Sequence, residues 1–129
     1  TGSELIMKER QRQIEKEGWT TEHDDEHTDS SLILAAICYA APERLYTKHE
    51  HSLGIEFLDP WPDSWDGKYD KRYEYGENKR TGANSPPRPE TYTKKERLDL
   101  LVKAGALIAA EIDRLVRAAR SALLERRRK

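Results

Sequence analysis

Five consecutive residues, His23-Asp24-Asp25-Glu26-His27, form the densest cluster of potential ligands in this 129-residue chain. Histidines four apart share one face of a helix, and carboxylates between them would complete a mixed nitrogen and oxygen site for a divalent cation. The same carboxylates have a purely structural use at the start of a helix, whose amino end favours negative charge. A third use is a polar network that holds Arg10 and Gln13 and touches a bound molecule. The spacing leaves these uses open, and no metal is assigned.

Trp61-Pro62-Asp63-Ser64-Trp65 is the second constellation. Tryptophans on a proline-stiffened loop offer flat apolar area at low entropic cost; they either close down as a lid on the domain's own core or stack on a base or a partner. Lys68, Lys71 and Arg72 follow and could neutralise phosphates, as could Arg10 and Lys103 from the helices. Other chemistries find less support. Cys38 lies among apolar residues, no serine sits in a GxSxG elbow, and glycine-rich phosphate loops are absent. His23-Asp24 has the adjacent pair of HD-type phosphohydrolases but no earlier histidine to complete it. Glu96-Arg97-Leu98-Asp99 has the ExxD form of the all-α nucleoside triphosphate pyrophosphatases but no ExxE in the first helix. His49-Glu50-His51 reads as exposed loop histidines or, less simply, as a further metal motif.

Three helices must position these groups. Residues 4 to 17 are good helix formers closed by Gly18, with Thr1-Gly2-Ser3 set aside as a cloning remnant. Beyond Leu5, Ile6, Met7 and Ile14 this helix has no apolar stripe, and the face continuing from Ile6 and Ile14 carries Arg10, Gln13 and Glu17. Polar groups turned toward a core need partners, because leaving them unpaired costs about 2 to 7 kcal/mol. Those partners are protein or ligand. Asp29 or Ser30 caps a second helix through Leu32, Ile33, Ala36, Ile37 and Ala40 up to Pro42; it is apolar nearly all round and therefore central. Thr93-Lys94-Lys95-Glu96 is a capping box, and apolar or small residues recur at helical spacing from Leu98 to Leu123. Ala104-Gly105-Ala106 lets a neighbouring helix, or a flat ligand, approach that main helix closely.

Between the second and third helices, Glu43 to Tyr92 reads as loop and turn, holding eight of the ten aromatic residues. A connection of that length needs a function or minor structure of its own. A short hairpin is expected over Lys68 to Arg80, and a mobile stretch over Thr81 to Pro89. The expected fold is mainly α: a three-helix core with a long aromatic-rich loop region, forming one domain over residues 4–125 with a basic tail at 126–129.

Charged residues make up 36% of the chain and the mean hydropathy is -0.96, with a net charge of only -1. That balance hides an asymmetry. Glu4 to Asp29 carries a net -5, and Arg114 to Lys129 a net +6. Solvated faces or a head-to-tail electrostatic match explain both runs. Nucleic-acid binding by the tail lacks interleaved aromatics and is not expected. No apolar run approaches a bilayer span, and a single buried cysteine suits a reducing compartment, so a cytoplasmic protein with no membrane partner is expected.

Taken together, Glu9-Arg10-Gln11-Arg12-Gln13, Glu17-Gly18-Trp19, the His23 to His27 cluster, Ala35-Ala36-Ile37-Cys38-Tyr39-Ala40, Trp61-Pro62 and Leu101-Val102-Lys103-Ala104-Gly105-Ala106-Leu107-Ile108 running to Leu115 resemble a small family of uncharacterised proteins from tailed phages and prophages. The resemblance implies a cytoplasmic setting in an infected bacterium, where accessory proteins of this size serve host takeover or anti-defence, some by sequestering nucleotide signals. Glu17-Gly18-Trp19 with its His-rich turn also resembles ryanodine-receptor-type repeat domains, which implies adenine-nucleotide binding; the spacing departs after Trp19.

The resulting expectation is a non-enzymatic binder of a nucleotide-like molecule, and a homo-oligomer, since a thin apolar supply favours self-association. Arg10, Lys103 and Arg72 would meet phosphates. Trp19, Trp61 or Trp65 would stack on a base, and Gln13, His23, Asp24, Asp25 and His27 would supply polar contacts. The alternatives are a metal-dependent nucleotide hydrolase, with His23, Asp24, Asp25 and His27 as ligands and Glu26 or Glu111 as base, and an inhibitor that binds a host protein through the aromatic loop and basic tail. No cofactor is assigned.

Overall fold

The computed structural model describes residues 1–26, 29–81 and 85–128. Helix α1 spans Gly2–Glu17, beginning earlier than expected because Thr1 is its cap: the Thr1 hydroxyl accepts from Glu4 N at 3.3 Å, and the Glu4 carboxylate reaches back to the Thr1 amino group. Gly18 ends it at φ 71°, a left-handed conformation that glycine adopts without steric cost. After the short helix α2, Thr21–Glu26, comes the apolar α3, Ser31–Ala40. The side chain of Asp29, not that of Ser30, satisfies its start, accepting from Ser31 N at 3.2 Å.

The last helix, α5, runs Lys94–Arg128 and carries the residues assigned from sequence to a separate tail up to Arg128. Its capping box forms as the sequence prescribes, with Thr93 N donating to Glu96 Oε1 at 2.9 Å and Glu96 N to Thr93 Oγ1 at 3.1 Å. Helix α3 packs along α5, and α1 crosses it where Gly105 removes the obstacle: a Cβ at that position would lie 2.6 Å from Ile6 Cδ1. The small residues of α5 thus serve helix packing.

The fold is mainly α with a short hairpin, but the hairpin is not where the sequence pattern put it. Strands β1, Thr47–His51, and β2, Gly54–Leu58, pair antiparallel with Thr47 opposite Leu58 and His51 opposite Gly54. The region from Lys68 to Arg80 instead makes 3-10 turns at Gly67–Tyr69 and Lys71–Glu74 and a one-turn helix α4, Asn78–Thr81. The cause is local: the carboxylates of Asp66 and Asp70 accept from Lys68 N at 3.0 Å and Arg72 N at 3.1 Å, which closes turns that compete with strand pairing. The expected mobility of Thr81 to Pro89 is corrected over 85–89. Ser85 O accepts from Asn78, Pro86 O accepts from Arg44 at 2.7 Å, and Pro87 and Pro89 are buried. Residues 82–84 lie outside the described residues.

Trp19, Leu32, Ala35, Ala36, Tyr39, Trp65, Leu100, Ala104, Leu107 and Ala110 form one buried cluster, edged by Trp61, Tyr69, Tyr75 and Tyr92. The long connection closes over the α3–α5 pair as an aromatic lid. Tyr39 pins it: the phenol donates to Tyr69 O at 2.8 Å and accepts from Lys71 N at 3.1 Å. Crowding at the α1 crossing gives a test. Gly105→Leu should destabilise the protein by about 1 to 3 kcal/mol in urea unfolding, and adding Ile6→Ala should recover part of that loss.

Candidate functional site

The inward polar face of α1 meets protein partners. Arg10 donates from Nη2 to Asp24 Oδ2 at 2.7 Å and from Nη1 to Trp19 O at 3.3 Å, while Asp24 is wholly buried and its other oxygen lies 3.3 Å from His23 Nδ1. Gln13, 2% exposed, donates to Glu9 Oε2 at 3.2 Å; its own Oε1 is buried without a hydrogen-bond partner. Glu9 also receives both arms of Arg12 at 2.8 Å and Lys103 Nζ at 3.4 Å. Burial alone would raise the Glu9 carboxyl, but the hydrogen bonds and charges of Arg12 and Lys103 outweigh it and hold it below the usual carboxylate range.

The remaining residues singled out from sequence divide between the core and other pairs. Arg72 is clamped by Asp59 at 2.7 Å and Asp70 at 2.8 Å and lies over the Trp61 ring. Asp25 turns away from its neighbour to Arg117 of α5 at 2.7 Å. Trp19 and Trp65 belong to the core, their rings 5.3 Å apart, with Trp61 5.6 Å beyond Trp65. His27 lies outside the described residues. Glu111 holds Arg114 at 2.6 Å. Asp24 and Asp25 thus face different cations, and among the described residues no three His, Cys, Asp or Glu side chains are grouped to hold a metal ion. Burial pushes the Cys38 thiol up to about 12, which keeps it protonated near neutral pH.

Of the hollows among the described residues, two adjoin each other beside these groups. The first, about 90 Å³, is walled by Trp19, His23, Trp65 and Tyr69, with Ser64 and Asp66 at its polar edge. Trp19 and His23 stack face to face, ring centres 5.8 Å apart, and Tyr69 meets Trp19 edge-on. The second, about 440 Å³, is lined by Arg12 and Lys16 from α1 and by Lys68, Tyr69 and Lys71 from the 3-10 turns, with Glu17 as its only carboxylate. Tyr69 is the wall between them, and Lys68 Nζ stands 5.2 Å above its ring centre. Glu17 Oε1 takes Arg12 at 3.2 Å and Lys71 at 3.6 Å, while Oε2 is buried with no hydrogen-bond partner. Lys16 and Lys68 have no carboxylate partner among the described residues. The sequence pattern points to Lys68 and Lys71 as phosphate contacts and to Glu17 as an inward polar group, but not to Arg12, Lys16 or Tyr69 as parts of this site. The i,i+4 pair Arg12 and Lys16 was the available signal.

Fold and site together define a small helical protein with an aromatic recess opening beside a basic cleft. Compared with protein-family models, curated proteins and solved structures, the chain matches none.

Two measurements check the polar network. Asp24→Ala strips the partner from a mostly buried guanidinium and should cost about 3 to 5 kcal/mol in chemical unfolding, against under about 1 kcal/mol for Asp25→Ala at its exposed pair. Because folding depresses the Glu9 carboxyl, its contribution is full above the unfolded-state value and is lost as pH falls through the folded-state value. Stability should therefore decline in acid, with a shallower decline in Glu9→Gln.

Proposed function

We propose that this protein binds a nucleotide-like anion and holds it unchanged, with a flat ring against the aromatic recess and phosphates in the basic cleft. The observation that carries this reading is the shared wall: one tyrosine, Tyr69, separates an aromatic hollow from a cleft lined by four cations and one carboxylate. A base and its phosphates require that pairing of surfaces within one molecule's length. At about 90 Å³ the recess takes the face or edge of a ring and does not enclose it.

This reading moves the phosphate contacts. Arg10 and Arg72 are committed to Asp24 and to Asp59 and Asp70, so releasing either for a ligand would strand a carboxylate, and Lys103 is engaged with Glu9. Lys16 and Lys68 carry no such obligation, and they take the phosphate role with Arg12 and Lys71 beside them. Tyr69, half-buried, is the main ring surface of the recess, with Trp19 and Trp65 presenting only their edges. The resemblance to phage accessory proteins supplies a setting in which binding suffices: sequestering a nucleotide signal of an infected cell needs no turnover.

A panel of ribonucleoside mono-, di- and triphosphates, titrated by calorimetry and tryptophan fluorescence with and without Mg²⁺, tests the reading. At least one member should bind, quench the buried tryptophans and be recovered intact by mass spectrometry. Lys16→Glu with Lys68→Glu should weaken that binding tenfold or more, about 1.4 kcal/mol, and raising the salt should weaken it in the wild type. No heat and no fluorescence change across the panel, or recovery of hydrolysed product, would overturn it.

A further inference from the structure

The buried face of α5 stops at Glu111, and from Ile112 to Arg128 the helix runs on for about 25 Å with every residue at least partly exposed. This overhang is not polar all round. Ile112, Leu115, Val116, Leu123 and Leu124 are 43 to 55% exposed, and Ile108 stands 42% exposed at the edge of the core. A helical segment of this length is marginal in water without an apolar partner.

Its pattern indicates what the partner is. Leu98, Leu101, Gly105, Ile108, Ile112, Leu115, Ala119 and Ala122 follow one another in alternating steps of three and four. That is the 3.5-residue period of a seam between two helices. Ile6 already covers Gly105, so the seam is free from Ile108 onward. Within that stretch two large residues, Ile112 and Leu115, are followed by two small ones, Ala119 and Ala122. An antiparallel copy centred near Arg117 sets Leu115 against Ala119 and Ile112 against Ala122, with Ile108 beneath the stem of Arg126.

Charge selects the same direction. Parallel helices would lay Arg120, Arg126, Arg127 and Arg128 of both chains side by side. Antiparallel pairing separates those ends, and the cations nearest the centre are already neutralised, Arg114 by Glu111 at 2.6 Å and Arg117 by Asp25 at 2.7 Å. It also carries the arginine end of each helix toward the start of α1 in the other chain, where Glu4 is 73% exposed two residues from Ile6.

We infer that the protein is a two-fold symmetric dimer, held by antiparallel pairing of the Ile108 to Leu123 stretch of α5 with its counterpart in a second copy. Leu115 of each chain packs on Ala119 of the other, and Ile112 on Ala122. The exposed apolar area is roughly 500 Å² a chain, so the pair buries about 1,000 Å², the lower limit for a specific interface and the size of a weak one, for which micromolar affinity is the range to test. The inference is independent of the nucleotide reading.

Sedimentation velocity of the intact protein from about 1 to 200 μM spans that range of affinity. The expected result is a concentration-dependent rise from 15.0 kDa to twice that mass. Leu115→Asp should weaken association at least tenfold with unchanged helical circular dichroism. A mixture of Leu115→Cys and Ala119→Cys chains should form disulfide-linked heterodimers on mild oxidation, Cys38 being buried and out of reach. A wild type that stays monomeric throughout overturns the inference, and binding of that monomer to phosphatidylglycerol vesicles would assign the stripe to a lipid surface. Preferential self-linking of Leu115→Cys would overturn the antiparallel arrangement.

Discussion

Asp24 has no contact with solvent, and a carboxylate so placed is costly to bury without a paired, hydrogen-bonded cation. Arg10 supplies it from α1 at 2.7 Å, and the same guanidinium holds the carbonyl of Trp19. One side chain thereby fixes the angle at which the chain leaves α1, the placement of Trp19 on the core and the start of α2. The aromatic recess inherits its geometry from that fixation, because His23, which stacks on Trp19, is the immediate neighbour of Asp24.

A second constraint acts from the opposite side. Tyr39, in the last turn of the apolar α3, uses its hydroxyl twice to hold the backbone of the 3-10 turns. Those turns carry Tyr69 and the lysines that face α1. Burial of Trp65 and Trp19 in one cluster ties the lid to the same helices, each large side chain contributing about 1.5 to 3 kcal/mol. The hollows at Tyr69 thus lie where two independently anchored segments meet, which keeps them open without a rigid element of their own.

How far the sequence could be read follows from the range of each interaction. The capping box at Thr93 and Glu96, the glycine stop at Gly18 and the apolar period of α5 all act within four residues, and each was legible. So was the inward turn of Arg10 and Gln13, since a helix packed on a core has few other faces to present. Their partners were not legible: Lys103 reaches Glu9 across 94 positions of chain. The hairpin was misplaced because the tyrosines of 68–80 resemble strand residues, whereas Asp66 and Asp70, whose carboxylates close turns, decided the local structure. The strands that did form, with Ile55 and Phe57 exposed, carry little burial to betray them.

The distribution of cations shows how a charge-rich chain can reserve some of its charge. An arginine clamped by buried carboxylates is costly to extract, because the carboxylate left behind loses its partner in a low-dielectric setting. Arg10 and Arg72 are of that kind and serve as struts. A lysine at the rim of a cleft, with its charge hydrated and no carboxylate to abandon, gains from an arriving anion with little to lose. Lys16 and Lys68 are of the second kind, and Tyr69 between them and the recess supplies the apolar wall that water does not compete for. Counting basic residues therefore does not locate an anion site; the decisive quantity is what each cation would have to give up.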